Sequence, residues 1–262
     1  MSETAVYLDA IGVVTPGVVG WDAFCAALQE NGWQASEDWQ IIPACLSARQ
    51  AKRLSETTRL ALACAEQIGD ALTPDAGWVF ASSLGEGLTL DVILNALSED
   101  EILISPMKFQ NAVHNAAVGQ WTIAGNMTGP STSIAAFDDT AGAGMLKTWL
   151  QCTQERIPVG MVAYDWPLPE PLHAKRAMTA PLAIAIAVSP APTSRSIRRL
   201  LCTLERQGLS ECSSAIGCVL KDSRNPVATL IPLLECVASG NEGSVSLGLS
   251  GGSTLAIEVS MP

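Results

Sequence analysis

Reactive side chains are sparse in this chain, and their placement decides what chemistry is open to it. Two carboxylates, Asp138 and Asp139, stand where the run Ser131 to Ala136 gives way to small residues and the helical pattern MLKTWL. A strand ending in a tight bend at a helix N-terminus is a common seat for a nucleophile. The helix-end amides there lower the pKa of a cysteine and stabilise negative charge. No cysteine stands at this bend. Asp138 instead puts a carboxylate at the positive end of a helix dipole, which favours its ionised form and a capping role. The two histidines are His114, in a helical run, and His173, in the proline-rich loop WPLPEPLHAK. Neither sits beside a candidate nucleophile in sequence, so His114 reads as a hydrogen-bonded interior or interface residue and His173 as a loop residue. The eight cysteines form no CxxC pair, and no histidine lies at metal-ligand spacing. They read as reduced core residues, and no metal or cofactor is expected. The glycines of Ser82 to Gly87 lack a GKS ending or GxGxxG spacing, so they read as a strand-to-helix turn.

Elements that must position the bend follow from periodicity. Phe109, Val113, Ala116, Ala117, Trp121 and Ala124 recur at helical spacing, predicting one helix over 107–125 that Thr128-Gly129-Pro130 terminates. Upstream, Ala5 to Val14 reads as a strand, Trp21 to Asn31 as a short helix, and Asn31 to Pro43 as an irregular tryptophan-rich stretch. A long helix is expected over Ser47 to Leu72, a strand over Trp78 to Ser83 and a helix over Leu88 to Leu97. Downstream, strands are expected over Pro158 to Tyr164 and Leu182 to Ser189. RSIRRLLCTLERQ fits either a strand or a helix. Val227 to Ser239 reads as a helix, and VSLGLS and TLAIEVS as strands. Alternating α and β elements imply a mixed or parallel sheet with helices on both faces.

A length of 262 residues, with 48% hydrophobic and 16% charged, suits a compact globular protein with one large core. A net charge of −11 argues against nucleic acid or an anionic membrane as partner. No basic-then-apolar leader opens the sequence, and the best apolar run, Ala183 to Val188, is far short of a bilayer span, so a soluble cytoplasmic protein is expected.

The phrase GPSTSIAAFD, preceded by NAAVGQWTIAGNMTGP, resembles the β-ketoacyl synthase family, in which a GPS-hydrophobic-S-hydrophobic strand leads to the active-site cysteine. Helix, Gly-Pro turn, strand and bend occur in the family's order, and the likeness extends over most of the first 190 residues. Residue by residue, that cysteine falls on Asp138, so the nucleophile is missing. The resemblance implies the first half of a thiolase-like fold over residues 1–192 and a short strand-helix-strand extension packed on the same core over 193–262. That tail is too short for a second half, which removes the family's active-site histidines and catalytic lysine. A carboxylate at position 138 forms no thioester-exchange intermediate and would repel the carboxylate of a malonyl extender.

A scaffold kept without its nucleophile resembles the chain-length-factor subunits that pair with an active ketoacyl synthase. More narrowly, it resembles the short form found with aryl polyene biosynthesis. The resemblance implies a heterodimer in which the partner supplies the catalysis and meets the acyl carrier protein, while this chain shapes the acyl channel. By the same resemblance Leu84, Met107, Lys108 and Phe109 would line or gate that channel near the interface, with His114 nearby and Asp138 either a structural cap or a block in the channel. Ordinary core packing would account for Leu84, Met107 and Phe109 equally well, and Lys108 either snorkels to solvent or meets a partner's carboxylate. Two other readings stand beside it. One is a stand-alone acyltransferase or condensing enzyme with an unrecognised cysteine. The other is a carrier-protein scaffold using the cluster Arg195, Arg198, Arg199 and Arg206. Cys152 lies too far along its helix to replace the nucleophile.

Overall fold

A computed structural model describes residues 5–30, 36 and 39–262. Among the described residues, nine strands form one sheet: β1 (Ala5–Thr15), β2 (Val18–Val19), β3 (Gly77–Ala81), β4 (Ser131–Ile134), β5 (Val159–Asp165), β6 (Leu182–Ser189), β7 (Arg198–Glu205), β8 (Gly243–Leu249) and β9 (Ser253–Ser260). Their order is β4-β3-β5-β6-β1-β7-β9-β8, with β2 folded back on β1. β4, β3 and β5 are parallel, while β6 runs antiparallel to both β5 and β1. β7, β9 and β8 extend the sheet beyond β1 as an antiparallel ladder.

Side chains alternate between the two faces of the strands, and each face has its own core. Trp78 and Phe80 of β3 face α3 (Glu56–Gly69) and α6 (Ala116–Ala124), where Leu60, Cys64, Ile68 and Trp121 are buried with them. Val79 and Ala81, one residue out of phase, join Met145 of α7 (Thr140–Glu155) on the opposite face. That second core also takes Phe24 of α1 (Trp21–Leu28), Ile216 and Leu220 of α8 (Ala215–Asp222), and Leu233 and Val237 of α9 (Ile231–Ser239). Every residue of β5 and β6 is buried, which explains their unbroken apolar runs.

Two expected helices are each divided. Ser47 caps the four-residue α2 (Ala48–Ala51) in a capping box with Gln50, and Ser55 then caps α3 by accepting from the Thr58 amide. The run 107–125 becomes α5 (Pro106–Asn111) and α6, separated by a turn at 112–115. That turn carries His114 toward the loop after β3, a tertiary contact that no local pattern encodes. The ambiguous RSIRRLLCTLERQ is strand β7, because pairing with β1 and β9 satisfies its backbone. The helix expected at 227–239 begins as a 310 turn, Pro226–Leu230, and continues as α9, while α8 was not foreseen. α1 ends at Leu28, and most of the irregular stretch 31–43, namely 31–35, 37 and 38, lies outside the described residues. Among the described residues, no helix is long and apolar enough to cross a membrane.

Candidate functional site

The bend after β4 is built by α7. Gly142 of this helix lies so close to β8 that a Cβ there would come within 2.1 Å of the Gly248 carbonyl oxygen. Only glycine lets α7 seat against that strand, and its first turn is thereby fixed at the carboxyl end of β4. The Thr140 hydroxyl ties the bend together, accepting from the Ala136 amide at 2.9 Å and donating to the Phe137 carbonyl at 2.6 Å. Phe137, between them, has φ of 53°, in the left-handed region that a bulky side chain adopts only at a cost of about 1–3 kcal/mol.

Asp138 does not cap α7 in the way the sequence implies; α7 starts at Thr140 after a 310 turn over Phe137–Asp139, and no side chain caps it. The carboxylate of Asp138 instead turns outward and accepts from the Arg176 guanidinium at 2.6 Å. The same guanidinium lies over the Phe137 ring, 5.1 Å from its centroid. Arg176 follows a 310 turn at His173–Lys175 in the loop between β5 and β6, 38 residues along the chain from Asp138, so sequence reading could not pair them. Asp138 and Arg176 line a cleft of about 520 Å³ between the bend and the tail. Its charged lining is Asp138, Asp139 and Glu211 against Lys175, Arg176, Lys221 and Arg224, with Lys221 paired to Glu211. Leu209, Pro226, Ala228, Pro232 and Leu247 line the same cleft, so it carries apolar walls beside these charges.

Leu84 and His114 meet at a second locus, the turn after β3. Asp165, buried at the end of β5, accepts from the hydroxyls of Ser82 and Ser83, both at 2.8 Å. It also accepts from the Ser83 amide at 3.0 Å and the Leu84 amide at 3.1 Å. Burial pushes the Asp165 carboxyl up, and the hydrogen bonds from Ser83 and Ser82 only partly oppose that shift. Gly85 donates to the Ser82 hydroxyl, so the amides of Ser83, Leu84 and Gly85 are all taken within the protein. None is left to cradle a phosphate. His114 Nε2 lies 2.9 Å from the Ser82 carbonyl, which can only accept, so Nε2 carries the proton. Asp165 organises this turn; its only trace in the sequence is an aspartate closing the apolar run VGMVAY.

Met107, Lys108 and Phe109 are not gathered with either locus. They lie on α5, which buries none of its residues; Met107 is 45% and Phe109 65% exposed. Lys108 instead lines a shallow depression with Lys52, Arg53, Leu88, Val92 and Asn111. Of the cysteines, only Cys64, Cys152 and Cys202 are buried and Cys218 is exposed, so a uniform core role does not hold. Burial pushes the thiols of Cys45, Cys152, Cys202 and Cys212 up to about 12, the reverse of an activated nucleophile. Arg198 is also withdrawn from the expected cationic cluster, because its guanidinium donates to the carbonyls of Ile197 and Val237.

The chain belongs to the β-ketoacyl synthase family: residues 23–240 match the description of its N-terminal domain. Its fold is the thiolase-like fold of ketosynthases, as solved structures show. A chain of the ketosynthase (ApeO)–chain length factor (ApeC) complex from Xenorhabdus doucetiae aligns at a TM-score of 0.72 and 21% identity, covering 97% of this chain and 99% of that one. A chain of the ishigamide ketosynthase/chain length factor aligns at 0.74 and 12% identity, covering 98% and 99%. The ketosynthase from module 1 of the bacillaene synthase of Bacillus amyloliquefaciens FZB42 aligns at 0.55 and 10% identity. There the alignment covers 80% of this chain but only 47% of that one. No curated protein sequence matches the chain.

Proposed function

We propose that this chain is the non-catalytic, chain-length-factor subunit of a cytoplasmic β-ketoacyl synthase pair, with an active ketosynthase as its partner. The observation that carries the reading is the bend itself. The family's nucleophile position holds Asp138, whose carboxylate is occupied by Arg176 and cannot form an acyl thioester. End-to-end alignment with a chain from each of two ketosynthase/chain length factor structures supports it. The partner then supplies the cysteine and receives the acyl carrier protein, and this chain contributes a wall of the channel. Leu84, Met107, Lys108, Phe109 and His114 are proposed for the channel and interface side, and aryl polyene assembly is the proposed setting. The division at residue 192 belongs to the same reading, the tail 193–262 standing where a second half would be.

The pairing surface on this reading is the edge of the sheet at β4. Among the described residues, this strand pairs with β3 alone. The carbonyls of Pro130 and Ile134 accept from β3, so by alternation the backbone groups of Ser131 and Ser133 point away from the sheet. The Ser133 hydroxyl is buried without a hydrogen-bond partner among the described residues, a state that folded proteins rarely leave uncompensated.

Co-expression with an active ketosynthase, with a tag on one chain only, tests the proposal. A one-to-one complex is expected that elongates acyl chains, and replacing the partner's cysteine should abolish elongation while leaving the complex intact. Acyl transfer by this chain alone would sink the reading.

A further inference from the structure

We propose that Phe137 is the aromatic anchor of the contact with the ketosynthase and that Arg176 is its positioning residue; this rests on the heterodimer reading above. Phe137 combines three properties rarely found together. It is a large apolar side chain, it is 75% exposed, and its backbone is held at φ of 53°. In the chain alone the exposed ring gains no burial to offset that strain, and strained conformations persist where the surroundings over-determine them. Here they do. Thr140 bonds both sides of the residue, and the Arg176 guanidinium lies over the ring while Asp138 holds its other side. Arg176 is itself largely buried, its side chain 19% exposed, so the ring rests on a fixed support. The anchor is therefore ordered before a partner arrives, which lowers the entropy lost on association.

Phe137 lies three residues past the end of β4, beside the open edge. On the other face of the sheet α6 packs near β4, and its Ile123 is also 75% exposed. The open edge is thus flanked by apolar side chains from both faces. A ketosynthase of the same fold offers a matching edge strand, and antiparallel pairing of the two edges carries Phe137 past the paired segment onto the partner's surface.

The test measures affinity for the ketosynthase by titration, alongside the thermal midpoint of the full chain. Phe137→Gly removes the ring and relieves the backbone, so the midpoint should hold or rise while affinity falls about tenfold or more. Arg176→Gln should weaken the pair several-fold in the wild-type background and add nothing once Phe137 is glycine. A merely structural arginine would act equally in both backgrounds. Leu204→Ala, an exposed site on β7, should change neither quantity. If F137G leaves affinity within twofold, or lowers the midpoint in step with affinity, the anchor proposal fails while the heterodimer reading stands. If it breaks self-association and leaves ketosynthase binding intact, the assigned occupant is wrong. A wild-type pair that never forms removes the heterodimer reading itself.

Discussion

The two ends of the sheet end in opposite ways. At the β8 end, the segment after β7 lies along the edge strand. The Ser210 amide donates to the Ser246 carbonyl at 3.1 Å, the Ser246 amide to the Ser210 hydroxyl at 2.9 Å, and the Gln207 side chain to the Ser246 hydroxyl at 2.6 Å. At the β4 end no described segment does this; among the described residues β4 pairs with β3 alone, and the hydroxyl of its Ser133 lacks a partner. Folded proteins blunt or cover their edge strands, because an open ladder is a template for pairing with another chain. One edge here is sealed from within, and among the described residues the other is open.

The largest expected effect breaks that contrast directly. Ser133→Pro removes an outward N–H and none that β3 uses, so it should lower ketosynthase affinity on the order of 100-fold with little change in the fold. Titration of the tagged pair checks it, and unchanged affinity would move the interface away from β4. Next comes a double dissociation. Ile257→Ala, in the fully buried middle of β9, should cost about 3 kcal/mol in urea unfolding and leave pairing intact. Ile123→Ala should do the reverse, changing stability by no more than about 0.5 kcal/mol while weakening the pair. A smaller effect is expected from Asp165→Asn, which leaves one acceptor oxygen where two now serve four donors. A loss of about 2 kcal/mol is expected, with faster hydrogen exchange at the Ser83 and Leu84 amides.

The smallest is a pH slope at the sealed end. Burial pushes Glu235 up, but hydrogen bonds from Ser214 and Ser213 outweigh it and hold its carboxyl below the ordinary glutamate value of 4.5. A carboxylate with a lowered folded pKa gives stability that is present above its unfolded pKa and is lost as pH falls through the folded value. The thermal midpoint should therefore drop on acidification below about pH 4.5, and E235Q should flatten that slope. Asp165 has the opposite sign. Its raised carboxyl makes the fold less favourable as pH climbs from its unfolded pKa to the higher folded one.

Strands β1, β5 and β6 were legible because burial on one or both faces leaves apolar runs of strand length, and the bend at Asp138 because GPSTSIAAFD is local. Contacts that close in space were not legible. His114 breaks the helix expected over 107–125 by reaching Ser82, 32 residues away, although every residue of that turn tolerates a helix. Arg176 is separated from Asp138 by α7, β5 and a proline-rich loop. The division of the 47–72 helix was readable in hindsight, since Ser47 with Gln50 and Ser55 before Thr58 are two separate helix starts. α8 carries a similar signal in Ser214, which accepts from the Gly217 amide.

The near-contact of Gly142 with Gly248 has a consequence for any attempt to shorten the chain. The helix that sets the bend is seated on a strand some hundred residues downstream, contributed by the last part of the sequence. Cutting the tail away would take the floor from under α7 and strip Leu200, Leu247 and Ile257 from the core that covers Met145. The bend and the tail therefore stand or fall as one mechanical unit, and a trimmed chain would lose the shape of its open edge before it lost the edge itself.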